Sequence, residues 1–112
     1  MADFTVSLPR HLYRAEQVRE LDRIAIEEFS IPGFALMQAA GSAAFAALLE
    51  TWPDVQEVLV FVGGGNNGGD GYVIAGLAKS HGIRVNCICL HEPDSLQGDA
   101  ALARNFAAEQ GV

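Results

Sequence analysis

Nine residues constrain this chain more than any others: Gly63-Gly64-Gly65-Asn66-Asn67-Gly68-Gly69-Asp70-Gly71. They follow the run Glu57-Val58-Leu59-Val60-Phe61-Val62, β-branched and aromatic almost throughout, which reads as a strand buried on both faces, as parallel strands are. A helical segment follows them, from about Asp70 to Ser80, stopped by Gly82. A glycine-rich turn between a strand and a helix is where a nucleotide phosphate is held, because bare backbone can approach it closely. The start of the next helix adds unpaired N–H groups and about half a positive charge.

The remaining elements follow from periodicity. Ala15, Val18, Leu21, Ala25 and Phe29 recur at helical spacing, with Glu16, Arg19, Glu20, Asp22, Arg23, Glu27 and Glu28 opposite, and Ser30-Ile31-Pro32-Gly33 ends that helix. A second helix is expected from Phe34 to about Thr51, rich in Ala and suited to close packing or an interface, and Trp52-Pro53-Asp54 ends it. Ile83 to Leu90 reads as a second strand with Ile83, Val85, Cys87 and Cys89 on one face. His91-Glu92-Pro93-Asp94 turns the chain into a last helix, Ser95 to Gln110, with Asp99 to Glu109 an ordinary crossover segment. The order strand, helix, strand, helix implies parallel pairing and an α/β layered fold: a Rossmann-like three-layer αβα arrangement represented by two strands and about four helices. Gln110-Gly111-Val112 resembles the helix-to-strand junction His81-Gly82-Ile83, so a third strand is expected next. Residues 1–112 thus read as the amino-terminal portion of a longer domain.

Composition excludes several classes. Seven Lys and Arg face fourteen Asp and Glu, a net charge of −7, which argues against nucleic acid as a partner. Met1 to Ser7 lacks the pattern of a secretory signal. Phe34 to Leu49 carries Gln38 and Ser42 and is expected to fall short of a membrane span. The chain therefore reads as soluble, cytoplasmic and not membrane-bound. Cys87 and Cys89 are expected to be small buried core residues, since one C-x-C without a second pair is poor metal-binding material. His11, His81 and His91 have no spaced partners and read as surface or turn residues. Arg10, Arg14, Arg19 and Arg23 are interleaved with acids and read as a solvated face. Tyr72 and Phe61 flank the loop, and core packing is favoured over stacking on a base.

Within the loop, Gly63, Gly65 and Gly68 have G-x-G-x-x-G spacing in the right context, with glycine expected to supply positive φ angles. Glu92, 24 residues after Gly68, stands where a ribose-binding acid would in a dinucleotide fold. Asn66 and Asn67 offer amides that donate and accept, and an amide oxygen is also a hard ligand for a cation. Asp70 suits the N-cap of the following helix or a contact to a sugar hydroxyl. No Lys follows the glycines, so this is not a P-loop of the ATPase kind.

With those residues in view, the loop resembles the signature of the NAD(P)H-hydrate epimerases, the YjeF N-terminal domain family. Leu21-Asp22-Arg23, Ala25 to Glu28, Ile31-Pro32-Gly33, Leu36-Met37 and Ala40-Gly41 resemble a second block of that family, in order and at its spacing. The resemblance implies a Rossmann-like domain that interconverts the R and S forms of hydrated NADH and NADPH (NADHX and NADPHX), a repair of damaged cofactors. It implies that Asn66, Asn67, Gly68, Gly69 and Asp70 contact the hydrated nucleotide, that Asn67 is a ligand of a potassium ion, and that the protein is a homodimer. In many bacteria the domain is the front half of a protein whose second half is an ATP- or ADP-dependent dehydratase. Gln38 departs from the family's usual Glu, and the family's catalytic Asp, further potassium ligands and second nucleotide loop would follow Val112. No catalytic residue is therefore assigned in this chain, which alone is expected to be inactive. Two other functions fit the fold: a non-enzymatic dimerising scaffold of the kind found in mRNA-decay proteins, and an ordinary NAD-dependent oxidoreductase domain relying on Glu92. The Asn66-Asp70 segment favours the epimerase over both.

Overall fold

The computed structural model describes residues 11–112; Arg10 and the amino-terminal stretch before it lie outside the described residues. The chain forms two compact units, one ending at Ile31 and one spanning Pro32–Val112.

In the first unit a single helix, α1 (Ala15–Glu27), is opened by the Arg14 backbone N–H donating to Gln17 Oε1 at 2.8 Å. Arg23 bridges Glu20 at 2.6 Å and Glu27 at 2.8 Å, one turn away on either side. All three are exposed, so solvent screens the pairs and they add little stability. Arg14 and Arg19 are exposed as well, which agrees with a solvated face. The helix closes two residues before Phe29: Ser30 takes a left-handed φ of 56°, and the Ile31 N–H returns to the Ala25 carbonyl at 3.1 Å.

The second unit is the expected parallel α/β arrangement. Its elements are α2 (Gly33–Thr51), β1 (Glu57–Val62), α3 (Asn66–Ser80), β2 (Arg84–Cys89), a 3-10 turn at Pro93–Ser95 and α4 (Gly98–Glu109). β1 and β2 pair in parallel with Glu57 opposite Arg84 and Val62 opposite Cys89. β1 alternates instead of being buried on both sides. Val58, Val60 and Val62 turn toward the helical layer, while Leu59 and Phe61 are 54 % and 61 % exposed. The strand's composition suits a two-sided environment, and the described residues cover one side of it. Phe61 is thus a correction to the expectation of core packing; Tyr72 meets that expectation at 4 % exposure.

Two apolar clusters hold the helices to the sheet. One joins Met37, Val62, Tyr72, Val73, Ala103 and Ala107; the other joins Phe45, Ala78 and Ile83. From α2 only Met37, Gly41 and Phe45 are buried, one residue per turn along a single stripe. By length and composition α2 is also apolar enough to cross a membrane, against the expectation that Gln38 and Ser42 would break it. Its Ala, Leu and Phe content outweighs those two residues.

The cysteines also depart from expectation. Cys87 is half-buried and Cys89 exposed, because β2 lies at an edge of the described sheet. They and Tyr72 line a cavity of about 240 Å³ with Pro93, Arg104 and Val112. Burial, then the bond to Cys89 at 3.2 Å, pushes the Tyr72 phenol well above its ordinary value, and burial likewise raises the Cys87 thiol. Both groups are held neutral in the fold. Their contribution to stability is complete below their unfolded values, 9.0 for the thiol and 10.0 for the phenol. It is lost as pH rises through the higher folded values, because the unfolded state then binds fewer protons. Melting curves should therefore show stability falling above about pH 9, and Tyr72→Phe should flatten the upper part of that fall. A Tyr72→Phe profile parallel to that of the unmodified protein would contradict this.

Candidate functional site

The site begins where β1 ends. Val62 is fully buried, and Gly63 to Gly65 carry the chain out of the sheet into α3. α3 starts at Asn66, four residues earlier than expected. Its N-cap is Gly65, in an extended conformation (φ −100°, ψ −166°) and without any side-chain cap. Asp70 is therefore the fifth residue of the helix and not its N-cap. Asn and Gly disfavour helix locally, but packing overrides that preference here.

The packing is visible at the glycines. A Cβ on Gly68 would lie 2.1 Å from the Gly63 carbonyl oxygen, and one on Gly69 would lie 2.7 Å from Met37 Sδ and Cε. A Cβ on Gly71 would press on Val62 at 2.9 Å, and one on Gly76 on Phe106 at 2.5 Å. α3 thus meets the loop, α2, β1 and α4 on successive faces, each through a missing side chain. No loop glycine has a positive φ; among the described glycines only Gly82, Gly98 and Gly111 do. The glycines of the loop serve close approach, not left-handed backbone.

This geometry sorts the expected site residues. Asn66 and Asn67 are exposed in the first turn of α3, Gly68 and Gly69 are buried beneath them, and Asp70 is half-buried one turn on. The N–H groups of Asn66, Asn67 and Gly68 open the helix, where no intrahelical acceptor is available to them. An anion laid on this turn would meet those donors and the positive end of the helix dipole. Asn67 and Asp70 are three residues apart and so are neighbours on the helix surface. Among the described residues no three His, Cys, Asp or Glu side chains form a metal-binding group. The Asn67 amide offers a neutral oxygen, which by itself makes no cation site. The positive helix end disfavours a cation there unless an anion or carboxylate accompanies it.

The second block of the sequence has its explanation in the same place. Met37 covers Gly69, and Gly41 lets α2 approach α3 so closely that a Cβ there would be 2.4 Å from Val73 Cγ1. Gln38 is exposed and outside this contact.

Sequence reasoning missed His91. It reads as an isolated turn residue, yet the structure packs its ring on the loop: a Cβ at Gly64 would be 3.6 Å from His91 Cγ. The parallel register is the signal that could have found it. Val62 pairs with Cys89, so Gly64 and His91 each lie two residues past the paired ends. His81 and His11 remain exposed, as expected. Glu92 is exposed beside His91, and its carbonyl accepts from Ser95 Oγ at 2.7 Å.

Comparison with known proteins agrees with this arrangement. Residues 33–112 match the family described as YjeF-related protein N-terminus. The chain is 48 % identical over 94 residues to the bifunctional NAD(P)H-hydrate repair enzyme Nnr of Coxiella burnetii, covering 84 % of this chain and 19 % of that protein. It is 41 % identical over 99 residues to the protein of the same name in Escherichia coli K12, covering 88 % and 19 %. An NAD(P)H-hydrate epimerase of Rhodopirellula baltica is 39 % identical over 97 residues, covering 87 % and 39 %. The chain therefore spans between 19 % and 39 % of the length of these relatives.

Proposed function

The chain belongs to the family of YjeF-related protein N-termini, and from that premise we propose that it is the nucleotide-holding part of an NAD(P)H-hydrate epimerase. The observation that carries the reading is the uncapped start of α3 at Asn66, packed through Gly68 onto Gly63. The substrate is hydrated NADH or NADPH. Its pyrophosphate lies on the N–H groups of the first turn, and the Asn66 and Asn67 amides hold its polar edges. Asp70, a turn further along α3, contacts a sugar hydroxyl.

Asn67 is one ligand of a potassium ion, which when bound offsets the charge of the phosphates. The reaction inverts C6 of the nicotinamide ring and needs a carboxylate to move a proton. That acid belongs to the remainder of the enzyme, as do the other potassium ligands, so residues 1–112 bind without catalysing. The bare face of the sheet at Leu59 and Phe61 supports this reading, since such a surface suits cover by further structure. The relatives in Coxiella burnetii and Escherichia coli K12 are bifunctional repair enzymes, which supports a fused second activity in the complete protein. The complete protein is a cytoplasmic homodimer in this reading.

The test is to mix the full-length protein with S- and R-NADPHX and follow their equilibration by chromatography, with and without potassium. Equilibration faster than the spontaneous rate is expected, and faster still with potassium. No acceleration would remove the epimerase reading. Asn67→Ala is expected to lose most of the potassium activation, and unchanged activation would remove Asn67 from the ligand set.

A further inference from the structure

Among the described residues, the only buried side-chain nitrogens or oxygens without a hydrogen-bond partner are Nδ1 and Nε2 of His91. A buried polar atom left without a partner forfeits the hydrogen bonds it made to water, so such groups are rare and need an explanation. This one sits at a particular place. The ring rests on Gly64, in the loop that joins β1 to the start of α3, and it follows β2 directly at the same end of the sheet.

We propose that His91 is a ligand of the nucleotide phosphates: when a nucleotide settles on the loop, the ring turns from Gly64 and donates an N–H to a phosphate oxygen. The inference rests on the nucleotide-binding reading above. Because neither nitrogen is anchored in the fold, the turn breaks no hydrogen bond and makes one. An imidazole always carries at least one N–H, and phosphate oxygens only accept. A phosphate is therefore a suitable partner in either charge state of the ring. The ring is not wedged against the loop: a Cβ built at Gly64 would stand at ordinary van der Waals distance from it, 3.6 Å from Cγ.

The experiment measures binding of ADP-ribose and of phosphate-free adenosine to the full-length protein, with His91→Leu and His91→Gln beside the unmodified form. Melting temperatures of the unliganded proteins are recorded in parallel. His91→Leu removes the stranded nitrogens, so its unliganded form should melt at or above the unmodified protein. It should nonetheless bind ADP-ribose about tenfold more weakly or worse, with adenosine binding unchanged. His91→Gln, which keeps an N–H donor, should recover most of the loss. If the unmodified protein binds ADP-ribose and His91→Leu binds it equally well, the inference is overturned while the nucleotide reading stands. Equal weakening toward both ligands would mean a purely structural role and would also overturn it. An unmodified protein that binds no ADP-ribose would overturn the nucleotide reading, and this inference with it.

Discussion

Alanine at position 68 is expected to lower the melting temperature and to weaken nucleotide binding by about tenfold or more, the cost of losing a hydrogen bond from the first turn of α3 to a charged phosphate. Two terms oppose each other in Gly68→Ala. Alanine is the better helix former, by about 1 kcal/mol in a helix interior and less in a first turn. Against that, the new methyl would stand 2.1 Å from the Gly63 carbonyl oxygen and 2.8 Å from its carbon. Both are backbone atoms and cannot rotate away, so the loop and the start of α3 must separate. Overpacking of this kind costs about 1–3 kcal/mol or more, so the steric term wins. A domain of this size loses roughly 4–8 °C per kcal/mol. Gly65→Ala is the control for stability, because nothing lies within 4 Å of a Cβ there. Thermal melts and ADP-ribose titrations of the two variants check this. A Gly68→Ala protein that melts and binds like the unmodified one would show that the loop does not rest on the helix.

The second large effect is expected where α2 crosses α3. Gly41→Ala should destabilise the protein, since its methyl would meet Val73 Cγ1 at 2.4 Å and Cβ at 2.8 Å. Val73 is 1 % exposed and β-branched, so it has no other rotamer to retreat into. Val73→Ala alone should also destabilise, through lost burial and the cavity it leaves, by about 2 kcal/mol. Together the two changes should partly cancel, because the methyl gained at position 41 fills the space vacated at position 73. The expected coupling is about 1–2 kcal/mol, measured by urea denaturation of the four proteins in a double-mutant cycle. Strict additivity would mean that the helices do not touch there.

The order of elements was legible from residues alone because the signals that set it are local. The β-branched run from Val58 to Val62 and the stops at Pro32, Pro53 and Gly82 are local signals, set by backbone sterics and side-chain entropy. They suffice for the order of elements and for parallel pairing. The Gly63–Gly71 segment and the Met37–Gly41 block were each legible as a resemblance, and the structure brings them together where Met37 covers Gly69 and, a turn further along α3, where Gly41 meets Val73.

Other features depend on contacts between residues far apart in the chain. The start of α3 is one: propensity places it at Asp70, and close packing at Gly68 and Gly69 moves it to Asn66. This matters for function, because it turns Asn66 and Asn67 from loop residues into the first turn of a helix. Phe61 is another, since its composition reads as core while its side of the sheet lies open. Cys89 is a third, as its exposure depends on what lies beyond β2.

What the sequence by itself determined is a strand, a glycine loop and a helix in an order that can hold a nucleotide phosphate, because turn chemistry and periodicity are properties of neighbouring residues. Tertiary structure alone decided where the helix begins, which glycines are needed for contact, and that His91 lies on Gly64. Those depend on how closely two backbones approach, and that distance is set by the packed core.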